Sequence, residues 1–200
     1  MNKSRSGSSI DYLGYAECMD EIKSRVSTID FLLGVPTNLT DKTNLESLAL
    51  NFRKVFELIV MACQAAHTHL IGKKVKEWRI RNLEQIISKY NPDFYMAPVH
   101  ATQTNIEDRH DIDVLSLDEL KAAYNRCGDW LHAKGPYRDK NNPREDLDAF
   151  RLWRGKIVRL LDGHRVRIDD RTFLYCSMNA AGTGKTHVSI FVRTDAIPTK

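Results

Sequence analysis

The segment from Asn44 to about Leu70 constrains the fold more than any other. Leu45, Leu48, Phe52, Val55, Phe56, Ile59, Val60 and Cys63 recur at helical spacing. They form a broad apolar face, wider than one neighbouring helix can cover. Asn44 is a residue type that caps a helix start. A helix of this kind is central, so the rest of the chain must supply helices to surround it. Tyr12 to Leu33 supplies the first, with Leu13, Ala16, Ile22, Val26, Ile29 and Leu33 in period and Gly34-Val35-Pro36 as a stop.

Three more helices are expected. Gly72 breaks the central pattern, and Lys73, Lys74, Lys76, Arg79 and Arg81 then decorate a third helix that buries Val75, Trp78, Leu83, Ile86 and Ile87 and ends at Asn91-Pro92. Pro92 to Val114 has two prolines and no sustained period, and reads as a long loop. Ser116 followed by Glu119 is a capping box. It opens a fourth helix through Leu120, Ala123, Tyr124, Cys127, Trp130 and Leu131, stopping near Gly135-Pro136. A basic loop, 137–144, leads to a fifth helix from about Glu145, with Leu147, Phe150, Trp153, Ile157, Leu160 and Leu161 inward and Asp162-Gly163 as its end.

The period then shortens from 3.6 to 2. Val166–Ile168, Thr172–Ser177 and Thr186–Val192 read as strands. The expected fold is mainly α: an antiparallel bundle of about five helices followed by a small C-terminal antiparallel β-sheet. In domain terms this is a flexible N-terminus (1–11), a helical bundle (12–163) and a β appendage (164–200).

Composition excludes several classes. With 42% hydrophobic and 28% charged residues, the chain has the balance of a globular protein, and a net charge of +4 is too small for a DNA-coating protein. It is compatible with RNA or phosphate binding at a local patch. Met1 to Ser9 carries Lys3 and Arg5 but no signal-peptide core follows, and no apolar run is long enough to span a membrane. A cytoplasmic protein with no membrane partner is expected. Cys18, Cys63, Cys127 and Cys176 form no Cys-x-x-Cys pair, and His67 and His69 fall on different faces of a helix. No metal site and no cofactor are expected.

Gly182-Thr183-Gly184-Lys185-Thr186 has the composition of a phosphate-binding loop. A P-loop would also need a glycine at the position of Asn179 and a helix after the lysine, where a β-alternating run follows. A hairpin turn is the expectation.

The strongest chemical signal is Arg126-Cys127-Gly128-Asp129-Trp130-Leu131-His132 in the fourth helix. A histidine titrates near neutrality and can take the proton of a ribose 2′-hydroxyl. A guanidinium, always charged, can hold the phosphate and its developing charge. Asp129, three residues from each, is placed to orient His132 or to pair Arg126. An exposed helix face with an Arg126–Asp129 pair is the plain structural alternative. Arg159 and His164 repeat the same residue types at similar spacing across Asp162-Gly163.

An arginine, four to six intervening residues and a histidine on a late helix of a bundle resemble the signature of the HEPN superfamily, with a gap of five here. The resemblance covers about Tyr12 to Gly163. It implies a metal-independent endoribonuclease of the kind found in toxins and phage-defence systems, acting as a homodimer on RNA, with an antitoxin or other regulatory protein as a further partner. It carries over Arg126 and His132 as catalytic residues, with Asp129 in support. Where one subgroup has a tyrosine two residues after the histidine, this chain has Lys134. Positions six apart on a helix are rotated by roughly 120° and separated by about 9 Å. A kink at Gly128, the arginine's length or a dimer partner would therefore have to close that distance.

Lys73, Lys74, Lys76, Arg79, Arg138 and Lys140 are the candidate RNA-backbone contacts. Trp78, Trp130 and Trp153 are assigned to the core. The competing reading is a non-catalytic module that binds RNA, a nucleotide or a protein through the same bundle.

Overall fold

The computed structural model describes residues 10–35, 42–72, 75–102, 105–132, 142–180 and 183–192. It is mainly helical: α1 (Tyr12–Gly34), α2 (Lys42–Ala66), α3 (Thr68–Ile71), α4 (Ile80–Ser88), α5 (Leu117–Leu131) and α6 (Pro143–Leu161). Five strands accompany the helices: β1 (Ala97–Ala101), β2 (Ile106–Asp108), β3 (Gly163–Arg167), β4 (Thr172–Ser177) and β5 (His187–Val192).

The central helix is α2, as its apolar width requires. It packs against α1, α4, α5 and α6, and Leu48, Phe52, Val55, Phe56, Ile59 and Val60 are completely buried. Phe52 stacks on Phe150 of α6 with centroids 5.2 Å apart, and Trp153 meets both Phe52 and Phe56 edge-on. Such aromatic pairs add stabilisation beyond the area they bury.

Local signals explain the other helix ends. Asp11 accepts from the Gly14 N–H at the start of α1. Val35, just before Pro36, is extended, as a residue preceding proline prefers. Ser116 and Glu119 form the expected capping box on α5, and Asn142 caps α6 ahead of Pro143 at the first helical position.

Four expectations are corrected. Asn44 does not cap the second helix, which begins at Lys42 and holds Asn44 in its first turn. The second helix does not run unbroken to Leu70. It stops at Ala66, and buried His67 turns its ring back to the Cys63 carbonyl (2.7 Å) before α3 begins. The third helix does not begin after Gly72, since residues 75–79 are not helical and α4 starts at Ile80. Trp78 consequently lies outside the core, 51% exposed. The stretch 92–114 is not merely a loop, for it contains β1 and β2. Only fragments of alternation mark these strands in the sequence, and Pro98 removes a ladder donor. They are held in place by pairing with each other and with β3.

The sheet is antiparallel throughout, in the order β2-β1-β3-β4-β5. Its inward residues, Val166, Ile168, Leu174 and Cys176, join the same apolar core as the helices. The β4–β5 connection is a hairpin with Gly184 at φ +61°, a left-handed conformation suited to glycine. That is the turn expected there in place of a P-loop.

His164 on β3 fastens the sheet to the bundle. Its Nδ1–H donates to the Leu161 carbonyl (2.9 Å), and its Nε2 accepts from the Tyr15 hydroxyl of α1 (2.5 Å). The site is completely buried, which pushes the imidazole pKa down to about 4. His67 forms a second tie. Asn91 donates both to His67 Nε2 (2.9 Å) and to the Arg167 carbonyl (2.7 Å), linking α2, the end of α4 and β3.

Two outcomes follow. Phe52→Ala opens a cavity in the aromatic cluster and should cost about 3–5 kcal/mol in urea unfolding. His164 is neutral when folded and more basic when unfolded, so its contribution is intact above pH 6.5 and is lost as pH falls towards 4. Between pH 6.5 and 5 the protein should lose about 2 kcal/mol of stability to this group, and His164→Gln should show a flatter stability profile across that interval.

Candidate functional site on helix α5

Helix α5 presents two chemically distinct sides. Arg126 faces α6, where its Nε donates to Asp146 Oδ1 at 2.6 Å. The Asp146 side chain is 6% exposed and that of Arg126 42%. A buried carboxylate in the first turn of α6 thus holds the arginine by its Nε while much of the guanidinium stays open to solvent. Asp146 was not singled out from sequence, because it lies 20 residues away across a loop. An acidic residue in a helix's first turn was the only signal available, and that is common in any helix.

His132 is the C-cap of α5, exposed and with extended backbone (φ −103°, ψ 134°). The helix ends at Leu131, and the expected stop near Gly135-Pro136 lies outside the described residues. Six positions separate His132 from Arg126, and no hydrogen bond joins the two among the described residues. By helical phase His132 lies instead on the side of Gly128, four residues earlier. Asp129 lies within α5, between them in sequence.

Arg53 of α2 lies against that other side. An added Cβ on Gly128 would stand 3.1 Å from Arg53 Nη1, so the glycine leaves room for the guanidinium. Arg53 lies over the Tyr124 ring at 4.0 Å and donates to its hydroxyl at 2.6 Å. Tyr124 in turn donates to Glu57 (3.1 Å), a buried carboxylate that also receives Lys54 at 2.9 Å. Burial raises the Tyr124 pKa, the largest of several influences, so the phenol stays protonated and can donate. Neither Arg53 nor Glu57 was a sequence candidate. Their charges sit inside the apolar pattern of α2, and only the arrival of α5 gives them partners.

The alternative pair separates. His164 is sealed in the core, while Arg159 donates to the Asp113 carbonyl at 2.7 Å. Of the expected RNA contacts, Lys76 and Arg79 are exposed in the segment before α4. Lys73, Lys74, Arg138 and Lys140 lie outside the described residues. Trp130 and Trp153 are buried as expected.

The outward face of the sheet is a second polar surface, with Arg165, Arg167, Phe173, Tyr175 and Phe191 around a concavity of about 850 Å³. Its charge is already compensated. Arg165 is paired bidentately with Asp108 (2.5 and 2.6 Å), and Arg167 pairs with Asp93 (3.0 Å) and Asp170 (2.6 Å).

Among the described residues, no three His, Cys, Asp or Glu side chains stand together as a metal site, all four cysteines are free, and no helix is long and apolar enough to cross a membrane. Burial raises the thiol pKa of each cysteine, so these groups stay protonated.

Glu57→Ala strands the Tyr124 hydroxyl and two cations, and should destabilise the protein by about 2–3 kcal/mol in urea unfolding. Glu57→Gln, which keeps an acceptor, should cost less.

No family model, curated protein or solved structure matches this chain.

Proposed function

We propose that the protein is a metal-independent endoribonuclease of the HEPN type. The observation that carries this reading is the Arg126–Asp146 pair. It makes a pre-positioned, half-open guanidinium on a late helix of a bundle, and that helix ends at an exposed histidine. A fixed cation at a developing phosphorane charge is worth more than a mobile one, because no reorganisation is needed as the charge appears.

In the proposed reaction the His132 imidazole takes the proton of a ribose 2′-hydroxyl. The 2′-oxygen forms a bond to phosphorus as the bond to the 5′-oxygen breaks. The proton passes back to the leaving 5′-oxygen, giving a 2′,3′-cyclic phosphate and a 5′-hydroxyl. Arg126 stabilises the non-bridging oxygens, Asp146 holds Arg126, and Asp129 supports the motif between the two catalytic residues. The separation of Arg126 and His132 along α5 favours a homodimer in which each copy completes the other's site. RNA is the substrate, and a regulatory protein such as an antitoxin is the partner this activity would require in its own cell.

The test is cleavage of structured and single-stranded RNA in EDTA. Wild type should cut, leaving 2′,3′-cyclic phosphate ends. His132→Ala should be slower by about 10²–10⁴-fold and Arg126→Ala by about 10²–10³-fold, both with unchanged circular dichroism. Silence of the wild type, equal activity of all three proteins, or 5′-phosphate products would sink the proposal and leave the non-catalytic binding module as the reading.

A further inference from the structure

A groove of about 510 Å³ opens between α2, the start of α4 and α5. Its volume falls in the range of ligand sites. Four cations line it: Lys121 is paired with Glu84 (2.9 Å) and Asp118 (2.8 Å), Arg53 with Glu57 (3.7 Å), and Arg79 and Arg81 make no ion pair among the described residues. Two aromatic rings, Trp78 and Tyr124, share the lining. Two of the four, Arg79 and Arg81, are exposed and open to a ligand, whereas Arg165 and Arg167 of the sheet face are paired.

The exposure of Trp78 is built into the local structure. Glu77 Oε1 accepts from the backbone N–H of Trp78 (2.9 Å) and of Arg79 (3.0 Å), and Oε2 accepts from the Asn82 amide (2.8 Å). These bonds, the one from Arg79 foremost, hold the Glu77 pKa down at about 2. The carboxylate therefore stays ionised and caps α4, whose own N-cap residue, Arg79, makes no side-chain cap. The cap fixes the backbone on which the indole sits, and the Arg79 guanidinium lies 5.5 Å from the indole centroid. Arg81, exposed on the first turn of α4, makes no ion pair among the described residues.

A fixed, half-exposed indole beside two exposed, unpaired arginines is the combination that single-stranded nucleic acid requires: a flat face for a base and charges for the phosphates on either side. A duplex keeps its base faces stacked internally, and an acidic peptide offers Trp78 a planar group only where it carries an aromatic side chain, whereas every nucleotide carries one. We propose that this groove holds a single-stranded stretch of RNA, with Trp78 stacking on a base and Arg79 and Arg81 holding the flanking phosphates. The identification of the polyanion as RNA rests on the nuclease reading above. The groove borders the Tyr124 side of α5, the side on which His132 falls by helical phase, so it would present the strand to that end of the helix.

The test uses the full-length protein and a fluorescein-labelled 2′-O-methyl oligoribonucleotide, which has no free 2′-hydroxyl and so cannot be cut. Trp130 and Trp153 are 7% and 9% exposed, so quenching of tryptophan emission reports on Trp78. The expected result is quenching on binding and about tenfold weaker affinity for Trp78→Ala. Trp78→Phe should recover part of the loss, and the salt slope for Arg81→Ala should be smaller by about one. Wild-type affinity in Trp78→Ala, equal binding of duplex RNA, or equal quenching by poly-glutamate would each overturn the proposal. If the groove variants bind normally while His132→Ala still abolishes cleavage, the groove assignment alone fails. If they lose binding and no cleavage occurs in any protein, the groove assignment stands without the nuclease.

Discussion

The structure depends on the burial of α2. Its apolar face is too wide for a single partner, so α1, α4, α5 and α6 close around it, and Phe52, Phe56, Phe150 and Trp153 fill the space where α2 meets α6. This arrangement also forces a charge inward. Glu57 lies on the flank of α2 that α5 covers, and burying a lone carboxylate there would be costly. Arg53, Lys54 and Tyr124 answer it. The polar cluster beside α5 is thus a consequence of how the central helix is covered.

The sheet is bound into the same core by two buried histidines that work as neutral connectors. His164 donates to the end of α6 and accepts from α1, while His67 joins the end of α2 to β3 through Asn91. His164 uses one ring nitrogen as donor and the other as acceptor, which is possible only for the uncharged ring. Burial favours that form, lowering both pKa values. The sheet's inner residues consequently share one apolar cluster with the helices, and its outer face carries arginines that are compensated by neighbouring aspartates.

Much of the helical framework was legible in the sequence, because capping and periodicity are local. Ser116 with Glu119 and the stop at Gly34-Val35-Pro36 act within a few residues of the helix ends they define, whereas α6 begins at Pro143, inside the stretch read as a basic loop. The errors fall where distant contacts override local preference. Trp78 has helical spacing with Val75 and Ile86, yet Glu77 binds the backbone N–H groups of Trp78 and Arg79, α4 starts only at Ile80, and the indole stays outside the core. β1 has little strand character of its own and is made by pairing with β2 and β3. The motif residues Arg126 and His132 could be picked out from residue type and spacing, whereas Asp146 and Arg53, which pack against α5 from two other helices, could not.

By itself, the sequence determined the mainly helical class, the central place of α2, the capping of α5, and the hairpin at Gly184. Each follows from side-chain periodicity or from backbone chemistry within a few residues. Only the tertiary structure decided that Arg126 is held by Asp146, that Arg53 occupies the space left at Gly128, that β1 and β2 complete a five-stranded sheet, and that Trp78 faces an open basic groove. These depend on which helix lies against which, and no local pattern of residues specifies that.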